Sequence, residues 1–293
     1  MAYWQVLPWE IQHIILEEVA RGFNRKTEPY ARAGYATVCK AWQPFFEELN
    51  FERLIVDSER LFDLEKIVQG KNRQRIEDIR HLWLRVKLEE YGCDACQSVE
   101  DDTTITKNRR IFTIALWNLL VIISKWEIPS TSRGRGRRGL NLQLGVYSPS
   151  DSKHVFKDFR LEDDYPYLTT ADLEDDFAAY TLRRTRGPEP DDPFHGWVNG
   201  RQAAPSLASK RRLLGTRPLT LDFSDFVGGH RPFPKAKIVT GLLIRRHYYR
   251  NIDPSVFAKL FTESFPCLEK IRHEWWHEVD PELRVQFELG MSH

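Results

Sequence analysis

Much that would assign this chain of 293 residues to a familiar class is missing from it. Cysteine is scarce, with only Cys39, Cys93, Cys96 and Cys267. No basic stretch followed by an apolar run opens the chain, so no secretory signal is expected, and with it no disulfide framework. The expected compartment is reducing: cytoplasmic, nuclear or both. Charge of one sign is lacking too. Lys and Arg number 43 against 42 Asp and Glu, a net charge of +1, which removes the electrostatic footprint of a nucleic-acid partner. The most apolar run, 111–126, is interrupted by Asn118 and ends beside Lys125. It is too short to span a bilayer, and no membrane partner is expected. There is no Gly-x-Ser-x-Gly elbow, no phosphate-cradling Gly-x-x-x-x-Gly-Lys loop and no dinucleotide fingerprint. No cofactor is expected.

What remains is a composition suited to a sizeable core, 41% apolar and 29% charged. Nine Trp and seventeen Phe are many for this length; most belong in the core, while Trp83, Trp197, Trp275 and Trp276 stand beside polar residues and are candidate partner anchors. From residue 50 onward, period-2 segments alternate with helical ones. Strands are expected over 51–56, 79–88, 139–147, 218–223, 236–245 and 268–276. Helices are expected over 59–69 (capped by Ser58, ended by Gly70), 104–126 and 254–263, with a last short helix starting at Pro281. Such alternation predicts an α/β fold with a parallel sheet. Leu54 to Leu84 is 30 positions and Leu242 to Ile271 is 29, the upper end of leucine-rich-repeat spacing. Polar insertions at about 129–139, 158–176 and 183–205 lengthen the middle spacings, and no Leu-x-x-Leu-x-Leu-x-x-Asn signature recurs. The expectation is an irregular, leucine-rich-repeat-like curved parallel sheet with helices on one side, and a chain that ends soon after its last strand, as a short or truncated member of a longer series.

The N-terminal region reads differently. Leu7-Pro8-Trp9-Glu10-Ile11 opens an amphipathic helix running to Ala20, with Pro8 at the first turn and Glu10 near the positive end of the dipole. Leu7, Ile11, Ile14, Ile15 and Val19 recur at three- and four-residue steps and share a face. A polar stretch over 21–32 follows. A second apolar segment, 35–46, then puts Val38, Trp42 and Phe45 on one helical face.

Leu-Pro-x-Glu-Ile-x-x-x-Ile-Leu followed by Ala-x-Val-Cys-Lys-x-Trp resembles the F-box motif, in residues 7–20 and 35–46. The chain departs from that pattern between the two, where a polar stretch replaces the usual short Leu-rich turn. Asn50 to Val56, Tyr147 to Ser152 and Gly196 to Arg201 are similar to stretches of fungal F-box proteins, in which a leucine-rich-repeat-like region follows the F-box. The resemblance implies an F-box-like helical module over 1–49 and an α/β region over 50–293. It implies a non-catalytic adaptor of a Skp–cullin–F-box type ubiquitin ligase. Leu7, Pro8, Ile11, Ile15, Val38 and Trp42 would dock a Skp-type linker, and through it a cullin, while the α/β region would hold a target protein. A ligase-independent interaction scaffold is the first alternative, and a zinc hydrolase using His273, Glu274 and His277 the distant one.

Three further patterns bear on chemistry. His273-Glu274-Trp275-Trp276-His277 matches His-Glu-x-x-His, the zinc hydrolase pattern, which needs both His on one helix and a third ligand. Position 273 is expected on a strand, and no third-ligand motif follows. Cys93-Asp94-Ala95-Cys96 is a single Cys-x-x-Cys without a second pair; it reads as a loop between strand and helix, with His81 or His154 as possible helpers in a weak metal site. Glu89, Glu90 and Asp94 oppose thiolate formation there. Arg133, Arg135, Arg137 and Arg138 form a basic cluster in a Gly/Ser setting without aromatic interleaving, read as a solvated loop.

Overall fold

A computed structural model describes residues 4–22, 31–127, 139–157, 191–226, 232–245 and 250–274. After a single 3-10 turn, Trp4–Val6, comes helix α1, Trp9–Arg21. Pro8 stands immediately before it in an extended conformation, where its missing N–H costs nothing. The side-chain amide of Gln12 donates to the carbonyls of Trp4 (3.0 Å) and Leu7 (2.9 Å), tying the entry turn to the helix. Arg21 pairs with Glu17 and Glu18 at the other end.

The segment 35–46 is not one helix. Helix α2, Ala31–Tyr35, ends there, turns occupy 36–42, and helix α3 is Gln43–Phe51. The Thr37 hydroxyl donates to the Gly34 carbonyl (2.7 Å), and Pro44, which cannot continue a helix from before it, starts the next one. Phe51 therefore belongs to a helix, and strand β1 is Arg53–Asp57. Ser58 makes no side-chain cap. It opens a 3-10 turn before helix α4, Leu61–Ile67, and Gly70 opens a second such turn, with φ of 59°. A short helix α5, Arg75–Asp78, leads into β2, His81–Lys87. Helix α6, Asp102–Ile123, is capped by Asp101, whose side chain accepts from the Thr104 N–H at 2.7 Å. Strand β3, Leu140–Tyr147, follows.

The stretch 183–205, expected to be an insertion loop, carries structure from 191 onward. A 3-10 turn, Pro193–His195, precedes a hairpin of β4, Trp197–Val198, and β5, Arg201–Gln202. Asn199 and Gly200 both take positive φ (48° and 71°), the conformation a two-residue hairpin turn requires. Helix α7, Leu207–Leu214, strand β6, Val239–Ile244, helix α8, Pro254–Lys259, a π-helical turn Leu260–Ser264 and strand β7, Lys270–His273, complete the order. The expected strand over 218–223 reduces to one bridge, Leu219 to Ile252. The Asp222 N–H is instead taken by the Thr113 hydroxyl of α6 at 2.8 Å. The helix expected at Pro281 lies outside the described residues, as do the basic cluster Arg133–Arg138 and the insertion 158–176.

The fold is mixed α/β. Five strands pair in the order β1-β2-β3-β6-β7, all parallel. Strand order follows chain order, so each new strand adds at the same edge. Leu242 pairs with Ile271, as their spacing anticipates, but Leu54 pairs with Leu82 rather than Leu84. Leu82 pairs with Leu142 and Leu142 with Leu242, so the long middle connections are accommodated within the same ladder. Leu82, Leu84, Val86, Leu142, Leu144, Leu242 and Ile244 share one face. They join Leu61 and Leu64 of α4, Phe112, Leu116, Leu119 and Leu120 of α6, and Val256 of α8 in one core. The helices therefore cover the same face of the sheet. The opposite face is also closed at its centre: His81, Trp83 and Gln143 have no exposed surface, and His81 Nε2 lies 2.9 Å from Gln143 Oε1. Burial pushes the His81 pKa down to about 4.

Candidate functional site

Two regions stand out, and they are opposite in kind. The first is the N-terminal helical region. Its interior is aromatic: Trp42 lies 5.6 Å from the rings of both Trp4 and Phe46, and Phe46 is 5.2 Å from Tyr35 and fully buried. Leu16 of α1 is buried as well. The face expected to hold five apolar residues together is split. Leu7, Ile11 and Ile14 are 37%, 43% and 54% exposed, beside Trp9 at 70% and Val38 at 55%. Ile15 and Val19 are half-buried. Of the six residues expected to dock a partner, Leu7, Pro8, Ile11 and Val38 are exposed, Ile15 is half-buried, and Trp42 is engaged in the aromatic interior. Helix α3 runs through position 49 and joins this region to the sheet. Glu47 accepts two hydrogen bonds from Arg75 (2.7 and 3.2 Å), and that guanidinium holds the Glu47 pKa below its usual value.

The second region lies at the carboxyl ends of β2 and β3, where loops of an open parallel sheet gather ligands. The loop after β2 carries Tyr91, Cys93 and Cys96; the turn after β3 carries Ser148, Ser150, Asp151 and His154. The Tyr91 N–H donates to Ser150 Oγ (2.9 Å), the Ser148 hydroxyl to the Glu89 carbonyl (2.8 Å), and the Tyr91 hydroxyl to Asp151 (2.8 Å). Asp151 is 1% exposed, and burial raises its pKa to about 6. The Tyr91 ring stacks on His154 with centroids 5.5 Å apart, and the Arg212 guanidinium lies over the Tyr91 ring, 4.8 Å from its centroid.

These contacts fix His154, and a third segment brings His195 to it. Gly196, with φ of 79°, ends the turn Pro193–His195 in a conformation that favours glycine, and the hairpin beyond it is anchored by Trp197 Nε1 donating to the Val155 carbonyl at 2.8 Å. His154 Nδ1 then lies 3.3 Å from His195 Nε2 and 3.4 Å from Cys93 Sγ, and the three atoms all fall within 4.8 Å of one another. Cys93 is exposed, whereas His195 is only 9% exposed. Asp192 accepts from His195 Nδ1 (2.7 Å) and pairs with Lys157 Nζ (2.8 Å); these two partners, Lys157 foremost, hold its pKa near 2.

Cys96 is not in this cluster. It is buried, its thiol donates to the Cys93 carbonyl (3.1 Å), and burial raises its pKa. His81, the other helper considered for Cys93, sits in the far face of the sheet against Gln143. His195 was hidden in a stretch read as a loop. Asn199-Gly200, the strongest short hairpin signal in the chain, marked that stretch as folded.

Beside this region runs a buried ion pair. Arg250 Nη1 lies 2.8 Å from Glu100 Oε1, with both side chains 3% exposed. Asn108 of α6 donates to the same carboxylate (2.8 Å), as does the Thr216 N–H (3.1 Å).

The remaining candidates separate. His273 ends strand β7, 5.4 Å from the Phe257 ring, so it is not on the helix that a His-Glu-x-x-His zinc site needs. His277, Trp275 and Trp276 lie outside the described residues. Trp83 and Trp197 are buried rather than presented to a partner. No helix among the described residues is long and apolar enough to cross a membrane. The chain was compared with protein-family models, curated proteins and solved structures, and none matches it.

Proposed function

We propose that this chain is a non-catalytic, substrate-recognition adaptor of a Skp–cullin–F-box type ubiquitin ligase. Its N-terminal helices dock a Skp-type linker and its leucine-rich-repeat-like α/β region holds a target protein. One observation carries this reading: Leu7, Ile11 and Ile14, at three- and four-residue steps, are exposed, as are Trp9 and Val38, while the aromatic interior is filled. An amphipathic helix keeps such a face in water only at a cost of about 25 cal/mol per Å² of apolar surface, which a hydrophobic cleft on a partner recovers. Of these exposed residues, Leu7, Ile11 and Val38 are residues through which the chain resembles an F-box. The sequential parallel order of the sheet, with helices on one face, accords with a repeat-like target-holding region. Ubiquitin transfer then proceeds by proximity: the adaptor raises the local concentration of a target lysine near a loaded enzyme and contributes no acid, base or nucleophile.

The break between α2 and α3 favours the second reading, a scaffold of the same fold that engages no ligase, because Val38 lies in a turn rather than on a helix continuous with Trp42. Co-purification with a recombinant Skp-type linker separates the two. The adaptor reading expects a complex that Leu7→Asp combined with Ile11→Asp abolishes. No complex with the parent chain leaves the scaffold, and an unchanged complex in that variant overturns docking through these helices.

A further inference from the structure

We propose that Cys93, His154 and His195 form a binding site for a zinc-class divalent cation at the carboxyl end of the sheet, with the fourth coordination position open to solvent. The reasoning starts from the two rings. The Tyr91 carbonyl can only accept a hydrogen bond, and it lies 3.1 Å from His154 Nε2. That nitrogen therefore carries the ring proton, and Nδ1 presents a lone pair. Asp192, whose carboxylate also pairs with Lys157, accepts from His195 Nδ1, so the proton of that ring is outside too and Nε2 presents a lone pair. Two lone pairs thus face each other across 3.3 Å, with Cys93 Sγ beside them. A thiol proton can satisfy one of the two nitrogens. A cation at the centre satisfies both, together with the thiolate.

Two of the three donor separations match that occupant, and the third, Cys93 to His195, is within 4.8 Å. Tetrahedral zinc with Zn–N of about 2.05 Å and Zn–S of about 2.3 Å places nitrogen donors roughly 3.3 Å apart and sulfur roughly 3.5 Å from nitrogen. The corresponding separations are 3.3 Å between His154 Nδ1 and His195 Nε2, and 3.4 Å between Cys93 Sγ and His154 Nδ1. One thiolate and two imidazoles is a donor set suited to zinc rather than to calcium or magnesium, which take oxygen. Each imidazole has an acceptor on its outer nitrogen, the arrangement that orients metal-binding histidines. The donors come from three separate segments, so one cation ties the loop after β2, the turn after β3 and the turn before the β4–β5 hairpin. Binding displaces the Cys93 thiol proton to solvent, and no electron moves. Cys96, the other half of the Cys-x-x-Cys, takes no part.

The test uses the full chain, stripped with a chelator and titrated with Co²⁺ and then Zn²⁺. The expected result is saturation at one equivalent, with tetrahedral visible bands and a near-ultraviolet thiolate-to-cobalt band that Zn²⁺ bleaches. Cys93→Ala abolishes the thiolate band and Cys96→Ala retains it. Asp192→Asn, which leaves all three donors in place, weakens the metal affinity about 10- to 100-fold. Circular dichroism of each stripped variant establishes that the fold is intact. Absence of the thiolate band in the parent chain, its persistence in Cys93→Ala, or its loss in a folded Cys96→Ala protein overturns the assignment.

Discussion

The N-terminal helices and the loops at the carboxyl ends of β2 and β3 invert the usual rule in opposite directions. The first region keeps apolar side chains in water: Trp9, Ile11, Ile14 and Val38 are all more than two-fifths exposed. The second takes charge out of water: Glu100, Asp151 and Arg250 are each 6% exposed or less. The buried charges are largely satisfied by neighbours from distant segments, so these polar groups define how the loops sit. Among the described residues nothing buries that apolar face, which is the surface the adaptor reading assigns to a partner. A buried polar cluster is thus evidence about architecture, and an exposed apolar face is evidence about association.

The sharpest way to break that comparison is to remove one partner from the buried pair. Arg250→Ala strands the Glu100 carboxylate beside Asn108 and Thr216. It is expected to cost about 3–5 kcal/mol in urea unfolding. Glu100→Gln added to that variant is expected to restore part of the loss, since it removes the stranded charge; no restoration would show that the ion pair is not the source of the cost.

Next in size is acid sensitivity, where two buried groups act with opposite sign. His81 has its pKa lowered to about 4. The unfolded chain takes up that proton below about pH 6.5 and the folded one does not, so its contribution is lost as pH falls from about 6.5 to 4. Asp151 has its pKa raised to about 6, so its burial penalty is relieved as pH falls from about 6 to 4. The stability of the parent relative to His81→Gln should therefore fall by about 3 kcal/mol between neutral pH and pH of about 4, while its stability relative to Asp151→Asn should rise by a similar amount. Denaturant titrations at the two pH values check both; equal differences at both would mean that neither group is desolvated as described.

The smallest effect is expected at the surface. Leu7→Asp with Ile11→Asp should change stability by no more than about 0.5 kcal/mol, because surface substitutions away from special features change little. A loss of several kcal/mol in thermal unfolding would show that these side chains belong to the core, and the comparison between the two regions would collapse.

Much of the fold was legible in the sequence. Alternation in 79–88 and 139–147 located β2 and β3, and Leu242 and Ile271 pair as their spacing suggested. The misreadings cluster where local bonds outcompete periodicity. Thr113 captures the Asp222 N–H and keeps 218–223 from joining the sheet, and Pro44 divides a segment whose apolar spacing looked continuous. The N-terminal docking residues were legible as types and positions, but only packing separated the outward Leu7 and Ile11 from the engaged Trp42.

By itself, then, the sequence determined the parallel α/β class, the amphipathic first helix and the absence of the common nucleotide-binding loops and of a Gly-x-Ser-x-Gly elbow, because each is written in spacings of a few residues. The tertiary structure alone decided that Cys93 meets His154 and His195 rather than Cys96, and that Glu100 meets Arg250. Those partners are 41 to 150 residues apart along the chain or on different loops. No local period encodes such meetings; they exist only once the strands are in register and the loops at their ends converge.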